Sequence, residues 1–429
     1  CEIPKIYSSR SFGRRPVYPP PSPPKARQNP RFIVIILLMK DKEIERLIRL
    51  EERRQKSVIN LIASENYASK DVLGALGSVF TNKYAEGYPG KRYYGGNAIV
   101  DKIENLAKSR ALKLFKLSSK KWGVNVQPYS GSPANLAVYL ALVPFGSKIM
   151  GMSLSMGGHL THGHRVSATG KLWKWVHFGV NKKTEFLDYD EIRKMARREK
   201  PKMIVAGFTA YSRIIDFKKF RRIADEVGAI FMVDMSHFAG LVAGGAYPSP
   251  FSARGGQALA DVVTTTTHKT LRGPRAAMIF SRKEFSEVIN RAVFPGLQGG
   301  PHMNNIAAMA VCLKEAMNPA FKKYARQIVK NTKVLACELQ KHGWRIISGG
   351  TDSHLFLVDT WASGLSGKIA QELLEAEKII VNKNTIPYDT RSPFDPSGIR
   401  LGTAAVTTQG MKEKDMLKIA ERIDKILSK

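Results

Sequence analysis

The sequence predicts an α/β fold in which a large domain with a mainly parallel sheet is followed by a smaller α+β domain. Apolar residues recur at helical spacing in one segment, at Ile103, Ala107, Ala111 and Leu114. Short β-branched runs follow later in the chain, at 203–206, 229–233 and 261–265. Helices that alternate with buried strands indicate βαβ units and therefore a parallel sheet.

The smaller domain is predicted from a change of pattern late in the chain. A helical segment at 321–341 stops at His342-Gly343, which is a typical glycine signal for a helix end. A chain of 429 residues is too long for one core, so we expect more than one domain. The expected division is a helical arm at 39–70, a large domain at 71–310 and a small domain at 311–429.

The arm is predicted to be an amphipathic helix. Ile44, Leu47 and Ile48 lie among charged residues at helical spacing. We expect this helix to contact a second copy of the chain.

The first 38 residues differ from the rest. They are rich in proline and basic residues, and they end in an apolar run at 32–38 that is far too short to span a bilayer. The chain begins with Cys1, and the first methionine is Met39. We therefore expect the natural protein to start at Met39 and residues 1–38 to be a disordered extension that comes from translated flanking sequence.

Composition narrows the class of protein. With 43% hydrophobic and 24% charged residues, the chain belongs with globular proteins rather than fibrous or disordered ones. Its three cysteines, Cys1, Cys312 and Cys337, are too few and too scattered for a disulfide framework or a metal site, which favours a reducing cytoplasm.

The net charge of +32 favours anionic partners. Without an arginine-rich run or an aromatic RNA-binding motif, we do not expect nucleic acid to be the main partner.

Polar residues follow two of the predicted strands. Asp234 comes directly after the run at 229–233, and His268-Lys269 follows the run that begins at Asp261. Ligands of parallel sheets bind at the carboxyl ends of strands. A lysine that forms an imine and an acid that keeps a pyridine nitrogen protonated are the parts of a pyridoxal phosphate site. Taken singly, the acid could equally cap a helix and the lysine could be a surface charge.

A phosphate site is predicted at the start of a helix. In the run Ser130-Gly131-Ser132-Pro133, Ser132 suits the N-cap and Pro133 the first helical position, and helix starts bind phosphate through backbone N–H groups. An ordinary capped helix would look the same. A second glycine-rich loop at 296–300 offers further N–H donors but is weak evidence alone.

Longer motifs carry a resemblance to a known family. From residue 41 to the C-terminus, five segments in order closely resemble serine hydroxymethyltransferase: 61–66, 81–96, 157–163, 263–270 and 397–402. The resemblance implies an aspartate-aminotransferase-like, fold-type I pyridoxal phosphate enzyme that forms a homodimer or tetramer with shared active sites. It also implies the reaction of L-serine with tetrahydrofolate to give glycine and 5,10-methylenetetrahydrofolate, with no membrane association and no metal.

The resemblance also implies roles around the cofactor. Lys269 would hold pyridoxal phosphate as a Schiff base, Asp234 would face the pyridine nitrogen and His159 would stack on the ring. His237 and Thr209 would hold the side of the ring that carries the phenolic oxygen. The phosphate would be bound by five small residues, of which the last two come from the second subunit: Ser130, Gly131, Ser132, Gly299 and Gly300. His268 would influence the adjacent lysine, and Arg275 would face the cofactor.

Further positions match the family's substrate and folate residues. Arg400 would bind the substrate carboxylate, which a bidentate guanidinium suits, with Ser64 beside it. Glu86 would be the acid/base group near the serine hydroxyl and folate, and Tyr84 and Tyr94 would lie near substrate and lysine. The remaining folate contacts would be Tyr93, Leu154, Gly158, Leu160 and Asn384. The tyrosines could instead be ordinary interface packing, since aromatic residues are enriched there.

Two alternatives remain open from the sequence. One is a pyridoxal-dependent aldolase that acts on β-hydroxy amino acids without folate, and the other is a basic RNA-binding protein with an inactive enzyme fold. Two departures from the family pattern are visible: Ala276-Ala277 replaces a Gly-Gly pair, and Thr403-Ala404 replaces Thr-Pro. A methyl group at the first pair would be costly if the backbone there needs a positive φ.

Overall fold

A computed structural model describes residues 39–252 and 258–428. The predictions for residues 1–38 fall outside this range. The chain from Arg53 onward forms one compact unit, and the first helix, which starts before that unit, is described by itself.

The described residues contain fourteen α-helices. They are α1 (Lys42–Ser57), α2 (Lys70–Leu76), α3 (Ala98–Leu114), α4 (Gly131–Leu142), α5 (Ala168–Leu172), α6 (Tyr189–Glu199), α7 (Phe217–Val227), α8 (Ala239–Ala243), α9 (Lys283–Arg291), α10 (Met303–Ala316), α11 (Pro319–Lys341), α12 (Gly367–Ala376), α13 (Ala404–Thr408) and α14 (Glu413–Leu427).

The same range contains fifteen strands. They are β1 (Ile59–Asn60), β2 (Gly87–Tyr88), β3 (Lys91–Arg92), β4 (Trp122–Asn125), β5 (Lys148–Met152), β6 (Lys174–Phe178), β7 (Met203–Ala206), β8 (Ile230–Asp234), β9 (Val262–Thr266), β10 (Ala277–Arg282), β11 (Arg345–Ile346), β12 (Leu355–Asp359), β13 (Ile379–Ile380), β14 (Asn382–Asn384) and β15 (Gly398–Gly402).

Helix α1 is amphipathic, as its spacing predicts. The side chain of Glu45 accepts hydrogen bonds from Lys42 and Arg49, one turn away on either side. Ile44 and Leu47 are nearly half exposed. Contact of this helix with a second copy stays a prediction.

The main sheet has seven strands in the order β4-β10-β9-β8-β7-β5-β6. Strands β9, β8, β7, β5 and β6 run parallel to one another. Strand β10 is antiparallel to both of its neighbours. Strands β7, β8 and β9 are buried almost throughout, as expected of parallel strands covered on both faces. The predicted α/β class with a mainly parallel sheet is confirmed.

A second sheet lies later in the chain. Its four strands, in the order β11-β12-β15-β14, are all antiparallel. It has its own hydrophobic cluster, in which Phe356 of β12 packs with residues of α11, α12 and α14, among them Leu339, Leu374 and Ile419. The predicted α+β pattern of this part is confirmed.

The element boundaries differ from prediction by one or two residues. Strands β8 and β9 each begin and end one residue later than predicted. Helix α11 starts at Pro319 because the Asn318 side chain caps it, accepting from the Ala320 N–H. Its end at Lys341 is as predicted. No helix in the described part of the chain combines the length and the apolar character needed to cross a membrane.

Candidate active site

A pocket lies at the carboxyl ends of the central parallel strands. Asp234 is the last residue of β8, and Lys269 follows β9 by three residues. The pocket is lined by Gly131, His159, His162, Gly207, Phe208, Thr209, Asp234, Ser236, His237, Thr266 and Lys269. Six of the residues predicted from the sequence therefore meet here: Gly131, His159, Thr209, Asp234, His237 and Lys269.

Lys269 has the environment of a nucleophilic amine. Burial lowers its pKa from the ordinary value to about 8; the guanidinium groups of Arg400 and Arg275 also lower it, against the attraction of Asp234. The backbone is held by Asn66, whose Nδ2 donates to the Lys269 carbonyl at 2.9 Å. At neutral pH a useful fraction of the amine is uncharged and able to form a covalent bond.

Asp234 is a buried carboxylate with strong partners. Its Oδ1 accepts from the Ser236 N–H at 3.0 Å and its Oδ2 from Asn135 Nδ2 at 2.9 Å. His162 Nε2 lies 3.6 Å from Oδ2, which is longer than a hydrogen bond. Burial acts to raise the pKa of Asp234, but His162, His159 and Lys269 outweigh it and hold the pKa below its ordinary value. Asp234 is therefore negatively charged.

His159 is held as a neutral imidazole. Burial, together with neighbouring His162 and Lys269, lowers its pKa to about 4. Its Nδ1 lies 2.7 Å from the Thr161 hydroxyl and accepts from the Thr161 N–H at 3.2 Å. Because Nδ1 accepts a backbone proton, the ring proton lies on Nε2.

Thr209 and His237 also line the pocket, and Arg400 contacts Thr209. Thr209 Oγ1 donates to the Gly158 carbonyl at 2.7 Å, and His237 Nδ1 lies 3.2 Å from His354 Nε2. Arg400 donates from Nη1 to the Thr209 carbonyl at 2.7 Å. Burial lowers the pKa of Arg400 to about 10, so the guanidinium stays charged at neutral pH.

The helix at the predicted phosphate site begins two residues earlier than expected, and phosphate binding there stays a prediction. Helix α4 begins at Gly131 with Ser130 at its N-cap, not with Ser132 as the cap. Pro133 falls within the first turn, where its missing N–H has no intrahelical partner to lose. The Ser130 side chain makes no capping hydrogen bond. A Cβ on Gly131 would lie 2.8 Å from Thr266 Cγ2, so only glycine lets the helix start approach β9 this closely.

A second group of predicted residues gathers elsewhere. The Tyr84 hydroxyl donates to Glu86 Oε1 at 3.2 Å, and the Tyr84 and Tyr94 rings meet edge to face. A Cβ on Gly299 would lie 2.9 Å from Glu86 Oε1, and one on Gly300 would touch the Tyr84 ring. Among the residues that the structure describes, none of these five lines the pocket around Lys269. They form an open surface instead.

The backbone on either side of Glu86 is clamped by a buried arginine. Arg92 Nη1 donates to the carbonyls of Ala85 at 2.8 Å and Gly87 at 2.7 Å. The rest of the guanidinium pairs with Asp101 at 2.9 Å and Glu104 at 2.7 Å. The Arg92 side chain is 4% exposed, so this is a desolvated, fully paired charge.

The other predicted residues are spread around these two groups. Tyr93 is 76% exposed and meets the Phe294 ring. Leu160, which follows His159, is 46% exposed. Arg275 is exposed, and Asn384 lies in β14, where its Nδ2 donates to the Thr385 carbonyl at 2.7 Å. The remaining four, Ser64, Leu154, Gly158 and His268, are partly or fully buried.

Several pocket residues escaped the sequence analysis. Thr266 Oγ1 is buried and has no hydrogen-bond partner among the described residues. His162, Ser236, Asn135 and Thr161 contact Asp234 or His159, as given above. The available signals were a polar residue in the first turn of the predicted helix for Asn135, the motif at 157–163 for Thr161 and His162, and the position beside His237 for Ser236. In the sequence alone these positions show no sign of a functional role, because their contacts with Asp234 and His159 form only in the folded protein.

The two alanines that depart from the family pattern fit without strain. Neither Ala276 nor Ala277 has a positive φ, and both are buried. Ala277 pairs with Thr266 in the β10–β9 ladder. The added methyl groups therefore occupy core space and do not oppose the backbone conformation.

The pocket fits a pyridoxal phosphate group. Lys269 can bind the aldehyde carbon, Asp234 can stabilise a protonated pyridine nitrogen, and the flat His159 ring can lie against the cofactor. The start of α4 and the unpartnered Thr266 hydroxyl offer donors for the phosphate. Fold and site together define a pyridoxal phosphate enzyme of fold type I.

Comparison with known proteins gives the family. The family described as serine hydroxymethyltransferase matches residues 37–423. A serine hydroxymethyltransferase of Koribacter versatilis (strain Ellin345) is 57% identical over 379 residues, which is 88% of this chain and 87% of that protein. The chain belongs to the serine hydroxymethyltransferase family.

The family establishes the chemistry. The chain is a pyridoxal-phosphate-dependent transferase, a glycine hydroxymethyltransferase, and interconverts L-serine and glycine with tetrahydrofolate in one-carbon metabolism. Serine, glycine and tetrahydrofolate are its substrates. The leading prediction from the sequence is confirmed over the folate-independent aldolase and the inactive RNA-binding protein.

Proposed function

We propose that the residues around Lys269 carry out this reaction in the roles assigned from the sequence. The observation that supports this is the meeting of an amine with a lowered pKa, a buried carboxylate and a helix start in one pocket. Bound pyridoxal phosphate supplies an electron sink for the pair of electrons left when the Cα–Cβ bond of serine breaks. Lys269 binds the cofactor, Asp234 faces its nitrogen and His159 lies against its ring.

The amino acid substrate is proposed to bind through Arg400. Two of its nitrogens are already held, by the Thr209 carbonyl and by Asn382 Oδ1. In the described part of the chain Nη2 makes no hydrogen bond, so it can donate to a carboxylate. Ser64 and Tyr94 are assigned to the same substrate, and Thr209 and His237 to the phenolic oxygen side of the cofactor.

Proton transfer on the departing hydroxymethyl group is assigned to Glu86. A carboxylate can accept the serine hydroxyl proton and return it, provided that it lies within hydrogen-bond reach. Glu86 lines an open groove together with Tyr93 and Phe294, and Tyr84 contacts Glu86 beside it. Tyr93, Leu154, Gly158, Leu160 and Asn384 are the proposed folate contacts.

The proposal includes a homodimer with shared active sites. Glu86, Tyr84, Tyr94, Gly299 and Gly300 form one group, while the residues around Lys269 form another. Tyr84 and Tyr94 are about half exposed, at 54% and 49%, which suits aromatic residues that meet a second subunit. In this arrangement each copy lends its tyrosine and glutamate group to the pocket of its partner.

The domain division and the cellular location complete the proposal. The large domain is assigned to 71–310 and contains all seven strands of the main sheet. The small domain is assigned to 311–429 and contains all four strands of the antiparallel sheet. A cytoplasmic location is proposed because the described cysteines, Cys312 and Cys337, are free thiols.

Mixing two inactive variants tests the shared site. Lys269→Ala and Glu86→Gln are each expected to be inactive alone. If the sites are shared, one site of each mixed dimer regains both residues, and refolded equal mixtures recover about a quarter of the wild-type activity. Folate-dependent glycine formation from serine is the readout. No recovery in mixtures that form mixed dimers would contradict the shared site.

A further inference from the structure

Asn135 joins the two cofactor-facing residues through one buried side chain. It lies on α4, one turn after Gly131, and is fully buried. Its Nδ2 donates to Asp234 Oδ2 at 2.9 Å and to Thr161 Oγ1 at 2.9 Å. Its Oδ1 accepts from the Thr264 hydroxyl at 2.7 Å. Both N–H groups and the carbonyl oxygen are therefore satisfied.

The charge of Asp234 determines which way the amide faces. An ionised carboxylate can only accept hydrogen bonds, so the NH2 group must point towards Asp234 and the carbonyl towards Thr264. The opposite orientation would place Asn135 Oδ1 next to Asp234 Oδ2 with no proton between them, and two unpaired buried oxygens are costly in free energy.

The same amide sets the direction of a second hydrogen bond. Because Thr161 Oγ1 accepts from Asn135, its own proton is free to be donated to His159 Nδ1, 2.7 Å away. A chain of hydrogen bonds thus runs from Thr264 through Asn135 and Thr161 to His159. His159 Nδ1 is kept as an acceptor and Nε2 keeps the proton.

Few other side chains could do this from the same position. An aspartate at 135 would place a second carboxylate beside Asp234, and a serine has only one proton to donate. A glutamine has the right groups but adds a methylene to a fully packed site. The short amide meets all three partners at once.

We propose that Asn135 is a positioning residue of this active site, which orients the Asp234 carboxylate with one N–H and, through the Thr161 hydroxyl, holds His159 Nδ1 as an acceptor with the other. This rests on the proposed function, because it assumes that Asp234 and His159 face the cofactor. The hydrogen bonds of Asn135 explain the orientation of Asp234 and His159, which neither of these two residues fixes by itself.

The first measurement is the dissociation constant of pyridoxal phosphate from the cofactor-free full-length protein, followed by fluorescence. Asn135→Ala is expected to weaken binding about tenfold, the loss typical of one hydrogen bond to a charged group. Thr264→Val is the matched control, because it also removes a buried hydrogen bond to this amide but leaves both N–H groups of Asn135 on Asp234 and Thr161. It is expected to bind the cofactor within about twofold of wild type.

The second measurement is the ¹⁵N-histidine NMR spectrum of the cofactor-free protein, in which His159→Asn identifies the His159 signals. Asn135→Ala and Thr161→Val are both expected to shift the His159 Nδ1 signal. Thr161→Val removes the hydroxyl that donates to Nδ1, and Asn135→Ala removes the N–H group that orients this hydroxyl. Thr161→Ser keeps the hydroxyl and should retain the wild-type signal. This comparison does not depend on activity and remains informative if Asn135→Ala folds poorly.

Asp234→Asn separates failure of this inference from failure of the proposed function. If Asp234→Asn weakens cofactor binding while Asn135→Ala and Thr161→Val match wild type in both measurements, the role of Asn135 is overturned and the proposed function stands. If Asp234→Asn itself leaves cofactor binding unchanged, the role assigned to Asp234 is wrong, and the inference falls with it.

Discussion

The Arg400 guanidinium donates from Nη1 to the backbone carbonyl of Thr209 at 2.7 Å. This bond holds the guanidinium beside Thr209, which lines the pocket. A buried charge that is held at two nitrogens and open at the third is suited to bind an anionic substrate group.

Replacing Arg400 with lysine should weaken substrate binding more than cofactor binding. Lysine keeps the charge but cannot hold Thr209 and Asn382 while also donating to a carboxylate. We expect KM for serine to rise about 10- to 100-fold, as for loss of a hydrogen bond to a charged group, with pyridoxal phosphate affinity changed much less. Steady-state kinetics and a cofactor titration measure the two effects. An unchanged KM would exclude Arg400 as the carboxylate partner.

The rate of cofactor binding should depend on pH through Lys269. The reactive form is the neutral amine, and the pKa of Lys269 is about 8 instead of its ordinary value near 10.5. The association rate of pyridoxal phosphate with the cofactor-free protein should therefore rise with pH through about 8 and level off above it. Stopped-flow absorbance between pH 6.5 and 9.5 checks this. A rate still rising steeply at the upper limit would mean that the amine is not desolvated.

Glu86→Gln should reduce turnover with little effect on folding. The amide keeps the shape of the side chain but cannot accept and return a proton, so kcat should fall about 10²- to 10⁴-fold. Glu287→Gln is a matched control, because Glu287 is an exposed carboxylate on α9 that pairs with Arg291. It should leave kcat unchanged. A small effect at Glu86 would move the acid/base role to another group.

Arg92→Ala should destabilise the protein strongly. Removing one partner of a buried charge network costs about 3–5 kcal/mol in the free energy of unfolding, because Glu104, whose side chain is 1% exposed, would be left unpaired. The exposed pair of Arg193 with Glu226 is the control, and Arg193→Ala should cost about 0–1 kcal/mol. Urea unfolding of both variants at one protein concentration gives the comparison. Equal losses would contradict the clamp on the Glu86 segment.

Restoring the family's glycines at 276 and 277 should not improve the enzyme. Since neither alanine has a positive φ, glycine gains nothing from its conformational freedom and costs about 0.5–1 kcal/mol per strand position in stability. We expect a lower thermal midpoint for Ala277→Gly with kcat/KM unchanged. A marked gain in activity would show that the methyl groups obstruct the cofactor loop.

The sequence was sufficient for local features that depend on pattern and motif. Strand β7 was predicted at its observed bounds, because its short length and its β-branched residues favour a strand over a helix. Lys269, Asp234 and His159 were predicted from strand ends and from long motifs, and all three line one pocket. The start of α4 was predicted two residues late because Ser132 is as good a cap by sequence as Ser130.

What only the tertiary structure decided is which side chains meet across strands and helices. The hydrogen bonds of Asn135 to Asp234 and Thr161 and the proximity of Gly299 to Glu86 join residues distant in the chain. Hydrogen bonds and burial act over a few ångströms in space, and spacing along a sequence does not encode such distances. The sequence by itself determined the chemistry of the residues, and the fold decided their partners.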